Sequence, residues 1–135
     1  FYLMTAEAGQ RFFQTRQEYE PGKAYWGGRA TAIDEPAKAA IKAIDAATGT
    51  VKWQFPVSRG SLSAGVLATA GGVLYSASSE GHLIALDAKT GQALWRMQTG
   101  GTISSSPISY AVEGKQYIAV SAGAVLYTFA LPDSH

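Results

Sequence analysis

An eleven-residue segment occurs twice, and it constrains the chain more than any other feature. Ala43-Ile44-Asp45-Ala46-Ala47-Thr48-Gly49-Thr50-Val51-Lys52-Trp53 aligns without a gap on Ala85-Leu86-Asp87-Ala88-Lys89-Thr90-Gly91-Gln92-Ala93-Leu94-Trp95, an offset of 42 residues. Seven features coincide: Ala, an aliphatic residue, Asp, Ala, Thr, Gly and Trp. A third copy begins at Phe129-Ala130-Leu131, with Ala130 45 residues after Ala85, and stops before its glycine and tryptophan. A period in the low forties with several strands per unit is the pattern of propeller blades.

The strands of one unit read directly from alternating apolar runs and glycine turns. Residues 65–69, 73–76, 82–86 and 93–97 are four short strands, separated by Ala70-Gly71-Gly72, by Ser79-Glu80-Gly81 and by the repeated segment itself. In the next unit 106–110, 116–121 and 125–131 are strands, the first two joined by a hairpin at Glu113-Gly114-Lys115. The expected fold class is therefore all-β, a partial β-propeller of about three four-stranded antiparallel blades. Residues 11–42 lack this rhythm and are expected to form a long excursion between blades, with short helical turns at 17–20 and 36–42 because Pro36 suits a first helical position and Ala37-Lys38-Ala39-Ala40 has good helix propensity. The apolar opening Phe1-Tyr2-Leu3 reads as a strand, so the chain reads as one domain of 135 residues taken from something longer.

The repeated segment has a mechanical logic. Asp45 and Asp87 are placed to bond the backbone of a turn, and Gly49 and Gly91 supply the positive φ such a turn requires. Trp53 and Trp95 follow at a fixed distance, each near the start of a strand. A tryptophan there is able to lie against the next blade, bury roughly 150–250 Å² and give its indole N–H to a turn carbonyl. Ala43 and Ala85 are small, in keeping with a ring close by.

Composition removes several classes of function. The formal charge is +1, with no Lys/Arg cluster, which argues against nucleic acid and anionic membrane as partners. There are no cysteines, so disulfides, thiolate metal sites and a cysteine nucleophile are excluded within the chain. No apolar run approaches the roughly 20 residues of a membrane-spanning helix. No nucleophile elbow or phosphate loop is present. His82 and His135 stand apart, without a carboxylate pattern that would make a metal site, and both are expected at the surface.

The pattern Ala-x-Asp-x-x-Thr-Gly-x-x-x-Trp resembles the tryptophan-docking motif of the dehydrogenases that depend on pyrroloquinoline quinone (PQQ). The stretch from Leu67 through Ala70-Gly71-Gly72 to Tyr75, the pair Ser106-Pro107-Ile108 and Gly114-Lys115-Gln116-Tyr117-Ile118-Ala119-Val120, the segment Tyr19-Glu20-Pro21-Gly22-Lys23-Ala24-Tyr25-Trp26-Gly27-Gly28, and the closing Phe129-Ala130-Leu131-Pro132 resemble that family in the same order. The resemblance implies the C-terminal blades of an eight-bladed, periplasmic alcohol or methanol dehydrogenase. In that parent, PQQ rests over calcium or a lanthanide and passes electrons to an acceptor such as cytochrome c. The family's catalytic aspartate and metal ligands belong to regions with no counterpart here, so no catalytic or metal residue is expected in this chain, and by itself it is expected to be inactive and to bind neither cofactor.

The resemblance also places Ser63 and Ala64 at the central funnel as cofactor-lining residues; a tryptophan stands at the position of Ser63 in the methanol enzymes. The alternative for Ser63-Ala64, and for the serines of Thr102-Ile103-Ser104-Ser105-Ser106, is close packing of small residues near a crowded axis. Trp26, outside the docking register, is expected to anchor the long excursion. Two other functions compete with the dehydrogenase: a non-enzymatic propeller of PQQ-like repeats acting as a protein-binding scaffold, and a propeller fragment that assembles with copies of itself. The expected partners are accordingly the remainder of the propeller or further copies of the chain.

Overall fold

A computed structural model of the chain describes residues 1–34, 37–57 and 64–132. Every regular element in it is a strand. Strand β1 (Tyr2–Glu7) is followed by a hairpin, β2 (Gln10–Gln14) and β3 (Gly28–Ala32), and then by β4 (Lys38–Ile44) and β5 (Val51–Val57). A continuous meander comes next: β6 (Val66–Ala68), β7 (Val73–Ala77), β8 (His82–Asp87) and β9 (Ala93–Gln98). The last three are β10 (Ile108–Val112), β11 (Lys115–Ala122) and β12 (Val125–Phe129). All pairing is antiparallel, in a first sheet β1-β4-β5, a middle sheet β6-β7-β8-β9, a last sheet β10-β11-β12 and the separate ribbon β2-β3.

The chain is thus an all-β partial propeller, with one correction to the expected blades: among the described residues only the middle sheet has four strands, and the flanking sheets have three each. The repeat explains which position each lacks. The two copies of the repeated segment lie on β4–β5 and on β8–β9, so the first sheet has no counterpart of β6. The third copy starts on β12, so the last sheet has no counterpart of β9. Irregular pairing recurs at the same place in both copies, at Ala43/Ile44 and at Ala85/Leu86.

Residues 38–42, expected within the excursion and in a helical turn, belong to β4. The reason is visible in the burial: Ala39, Ile41 and Ala43 are buried on one face, and on the other Ala40 is covered between exposed Lys38 and Lys42, which is partly exposed beside Glu7. Period-2 alternation between β1 and β5 outweighs the helix propensity of the alanines. No helical turn forms at 17–20 either. The irregular stretch falls within one sheet, because the strands on either side of it, β1 and β4, are paired from Tyr2↔Ala43 to Glu7↔Lys38.

Two apolar clusters join the sheets. One packs Ala39, Ile41 and Val57 of the first sheet against Leu74, Ile84 and Leu86 of the middle sheet, with Tyr2, Met4, Trp53 and Phe55 at its margin. The other packs Ala77 and Leu83 of the middle sheet, with Ala64, against Ile103, Val120 and Ala122. The first, middle and last sheets therefore follow one another in an arc.

Candidate functional site: the inter-sheet contacts and the funnel end

The most developed constellation is the turn at 87–92 and what rests on it. Asp87 N–H donates to the Gln92 carbonyl, and Gly91 N–H to the Asp87 carbonyl. The Asp87 Oδ1 accepts from Lys89 N–H at 2.9 Å, Thr90 N–H at 2.8 Å and the Thr90 hydroxyl at 2.9 Å. Gly91 turns the chain with φ 73°. This leaves the Ala88 carbonyl pointing outward. Trp53 of the first sheet donates its indole N–H to it at 3.0 Å, and Tyr2 donates its hydroxyl to the same oxygen at 3.0 Å. The Tyr2 and Trp53 rings are 5.9 Å apart. A Cβ built on Gly91 would stand 2.6 Å from the Trp53 ring, so glycine is needed there for space as well as for φ.

The first copy builds the same turn at 45–50. Asp45 N–H donates to the Thr50 carbonyl and Gly49 N–H to the Asp45 carbonyl. The Asp45 Oδ1 accepts from Ala47 and Thr48 N–H, and Gly49 has φ 72°. Nothing comes within 4 Å of a Cβ placed on Gly49, so no ring rests there. Ala43 and Ala85 lie directly opposite Trp53 and Trp95 across their own β-ladders, both buried.

Both turn carboxyls titrate below the usual aspartate value of 3.8. For Asp45 the main cause is the hydrogen bond from Lys52, followed by the Ala47 and Thr48 amides; for Asp87 it is the Thr90 amide, then the Thr90 hydroxyl. A carboxyl held lower in the folded chain adds stability that is present above its unfolded value and lost as pH falls through the folded value. The melting temperature should therefore drop as pH is lowered below about 3.8, and Asp87→Asn should make that drop shallower. Thermal melts of both chains from pH 5 to pH 2 check this; parallel curves would remove the turn carboxylates from the acid response.

Trp95 is placed differently from Trp53. It is 42% exposed, and its indole N–H has no acceptor among the described residues. Its ring meets Phe129 edge-on at 5.4 Å. It lines a cleft of about 710 Å³ between the middle and last sheets, together with Tyr75, Ile118, Leu131 and Pro132. Trp26 departs from the expected anchor: it is 80% exposed in the connection between β2 and β3, its main-chain N–H held by the Gln17 side chain. The ribbon pairs with no other strand among the described residues, so it gives the indole nothing to pack against.

Of the two residues expected at the funnel, Ser63 lies outside the described residues. Ala64 is 3% exposed, its methyl group packed with Ala77, Leu83 and Ile103. Its surroundings are used structurally: Ser106 Oγ accepts the Gly65 N–H at 3.0 Å, and Ser105 Oγ bonds both main-chain groups of Ser121. No group of three or more metal-ligating side chains occurs among the described residues. Ala64 and these two engaged hydroxyls offer no side-chain ligand to a metal ion. His82 is only partly buried, its N–H bonded to Ser78 Oγ, and His135 lies outside the described residues.

A family model described as outer membrane protein assembly factor BamB, built on PQQ-type repeats, matches residues 37–133. The chain belongs to the PQQ-repeat propeller family. Within it, the chain is 36% identical over 125 residues to a quinoprotein ethanol dehydrogenase of Pseudomonas putida, covering 91% of this chain and 20% of that protein. It is 32% identical to methanol dehydrogenase subunit 1 of Paracoccus denitrificans over 90% of this chain and 18% of that one. Among solved structures, a europium-containing methanol dehydrogenase aligns with TM-score 0.77 and 27% identity over 88% of this chain and 22% of its own. The quinohemoprotein alcohol dehydrogenase of Comamonas testosteroni aligns with TM-score 0.76 at 23% identity, over 90% of this chain and 20% of its own, a likeness of fold. The chain spans about a fifth of the length of these relatives.

Proposed function

We propose that this PQQ-repeat chain is the C-terminal segment of a periplasmic, PQQ-dependent alcohol dehydrogenase. It supplies three adjacent blades, the outer two in part, and, through main-chain groups or the Ser63 hydroxyl at Ser63 and Ala64, part of the wall of the cofactor funnel. The observation that carries the reading is the 36% identity to a quinoprotein ethanol dehydrogenase sustained over 91% of the chain. In such an enzyme the quinone supplies the redox chemistry and the protein supplies binding and orientation. This segment's part is orientation: Ala43, Asp45, Gly49 and Trp53, then Ala85, Asp87, Gly91 and Trp95, act as tryptophan-docking motifs that hold blade to blade. PQQ and its calcium or lanthanide ion are held by the parent's other blades, and the europium-containing relative supports a metal there. An electron acceptor such as cytochrome c meets the parent rather than these blades alone. The scaffold reading is favoured by one observation, the description of the matching family model.

The two readings separate on activity. The 135-residue chain alone, given PQQ and calcium or a lanthanide, should oxidise alcohols no faster than PQQ without protein in a dye-linked assay. The parent polypeptide should turn over, and should lose activity when these blades are deleted. Turnover by the chain alone, or a parent that folds and binds PQQ yet oxidises no alcohol, would overturn the assignment.

A further inference from the structure

Gly65, at the entry to β6, has its main chain gripped from two sides. Its N–H donates to Ser106 Oγ at 3.0 Å, and its carbonyl accepts from Ser76 Oγ at 3.2 Å. Ser76 lies on β7 and is fully buried, so the carbonyl is tied within the middle sheet. Ser106 belongs to the stretch that leads into β10, so the N–H is tied across to the last sheet. The approach is close: a Cβ on Gly65 would run into Ser106 Oγ and Cβ, and only glycine leaves the hydroxyl room. Ser106 is held in its turn through its neighbour, because Ser105 Oγ accepts the Ser121 N–H at 3.2 Å and donates to the Ser121 carbonyl at 3.3 Å on β11.

The Gly65 N–H belongs to the peptide that joins it to Ala64. That peptide is planar and trans, so its N–H and its carbonyl point in opposite directions. Holding the N–H on Ser106 therefore turns the Ala64 carbonyl to the side away from Ser106. The Ala64 methyl group is fixed separately, packed with Ala77, Leu83 and Ile103. Packing of a methyl group sets where the residue sits but lets the peptide plane tilt about the single bonds on either side of it. The bond from Gly65 to Ser106 removes that freedom.

We infer that Ser106 is a positioning residue for the cofactor funnel: through the Gly65 N–H it sets the direction of the Ala64 carbonyl, and PQQ binding depends on it. The inference rests on the reading that main chain at Ala64 lines the funnel. It adds that a residue of the last sheet, rather than of the sheet that carries Ala64, decides how this part of the wall is presented. Ser106 itself is exposed, so alanine in its place removes the acceptor without opening a cavity.

Binding of PQQ to the parent polypeptide tests this, with the Kd for PQQ and the urea midpoint measured separately. Ser106→Ala should weaken PQQ binding about threefold to tenfold, the span of one hydrogen bond's net contribution, and should leave the midpoint nearly unchanged. Ser106→Thr keeps the hydroxyl and should bind PQQ as the wild type does. Thr69→Ala removes a hydroxyl bond of similar length, 2.9 Å to the Val73 carbonyl, at the opposite end of β6. It should lower the midpoint and leave the Kd for PQQ where it was. A Ser106→Ala parent that binds PQQ as tightly as the wild type, or a Thr69→Ala parent that loses as much affinity, would overturn the inference and leave the dehydrogenase reading standing. A wild-type parent that binds no PQQ would end both.

Discussion

Trp53→Ala should lower the stability of the chain by about 3 kcal/mol, at the lower end of what large aromatic truncations cost because the ring is only partly buried. Three losses combine: the ring's contact with Gly91, the edge of the apolar cluster it shares with Phe55 and Leu86, and the hydrogen bond to the Ala88 carbonyl. The carbonyl itself stays bonded to Tyr2, so no acceptor is orphaned, which keeps the cost from rising further. Trp26→Ala should shift stability by no more than about 0.5 kcal/mol, the ordinary effect of a surface change. Trp95→Ala should fall between them, since its ring meets Phe129 but has neither a seat nor a bond. On sequence Trp53 and Trp95 look equivalent; the structure separates them because Trp53 has a complete turn to meet. Urea midpoints for the three variants, at concentrations where the chain is monomeric, give the order. Equal shifts would mean that the turn at 87–92 adds nothing beyond the burial of a ring.

Much of the fold is legible in the sequence because the repeat carries its own register. The strands expected at 73–76, 82–86 and 93–97 appear as β7, β8 and β9 with ends moved by one residue at most. The hairpin at Glu113-Gly114 forms with both residues at positive φ, 50° and 80°, as a tight two-residue connection demands. The difficulties arise where local signals conflict or tertiary context is silent. Ala37-Lys38-Ala39-Ala40 has the propensity of a helix, and only its alternation with Ile41 and Ala43 marks it as β4. Trp26 resembles an anchor because indoles are usually buried, yet its ribbon stands apart from the sheets. The funnel residues are the least legible. An alanine such as Ala64 reads equally as a small residue near a ligand and as packing, and the residues it packs with, Leu83 and Ile103, lie 19 and 39 positions further along the chain.

The pair of glycines at equivalent turn positions allows the contribution of the indole to be isolated. Gly49→Ala and Gly91→Ala impose the same backbone penalty, because φ is 72° in one and 73° in the other; a non-glycine residue in this region costs about 1 kcal/mol. Around Gly49 the new methyl group meets nothing within 4 Å, so that penalty should be the whole effect. At Gly91 the methyl group would stand 2.6 Å from two ring atoms of Trp53, closer than real Cβ contacts come. The ring has to lift, and lifting it stretches the 3.0 Å bond to the Ala88 carbonyl and opens the cluster at Phe55. Gly91→Ala should therefore cost about 3 kcal/mol, close to Trp53→Ala, and the double variant should cost little more than either alone, since both remove one interaction. Chemical denaturation of the four chains completes the cycle. If the two single costs simply add, the ring and the glycine act separately and Trp53 is held by its sheet rather than by the turn; if they do not, the inter-blade contact is one unit.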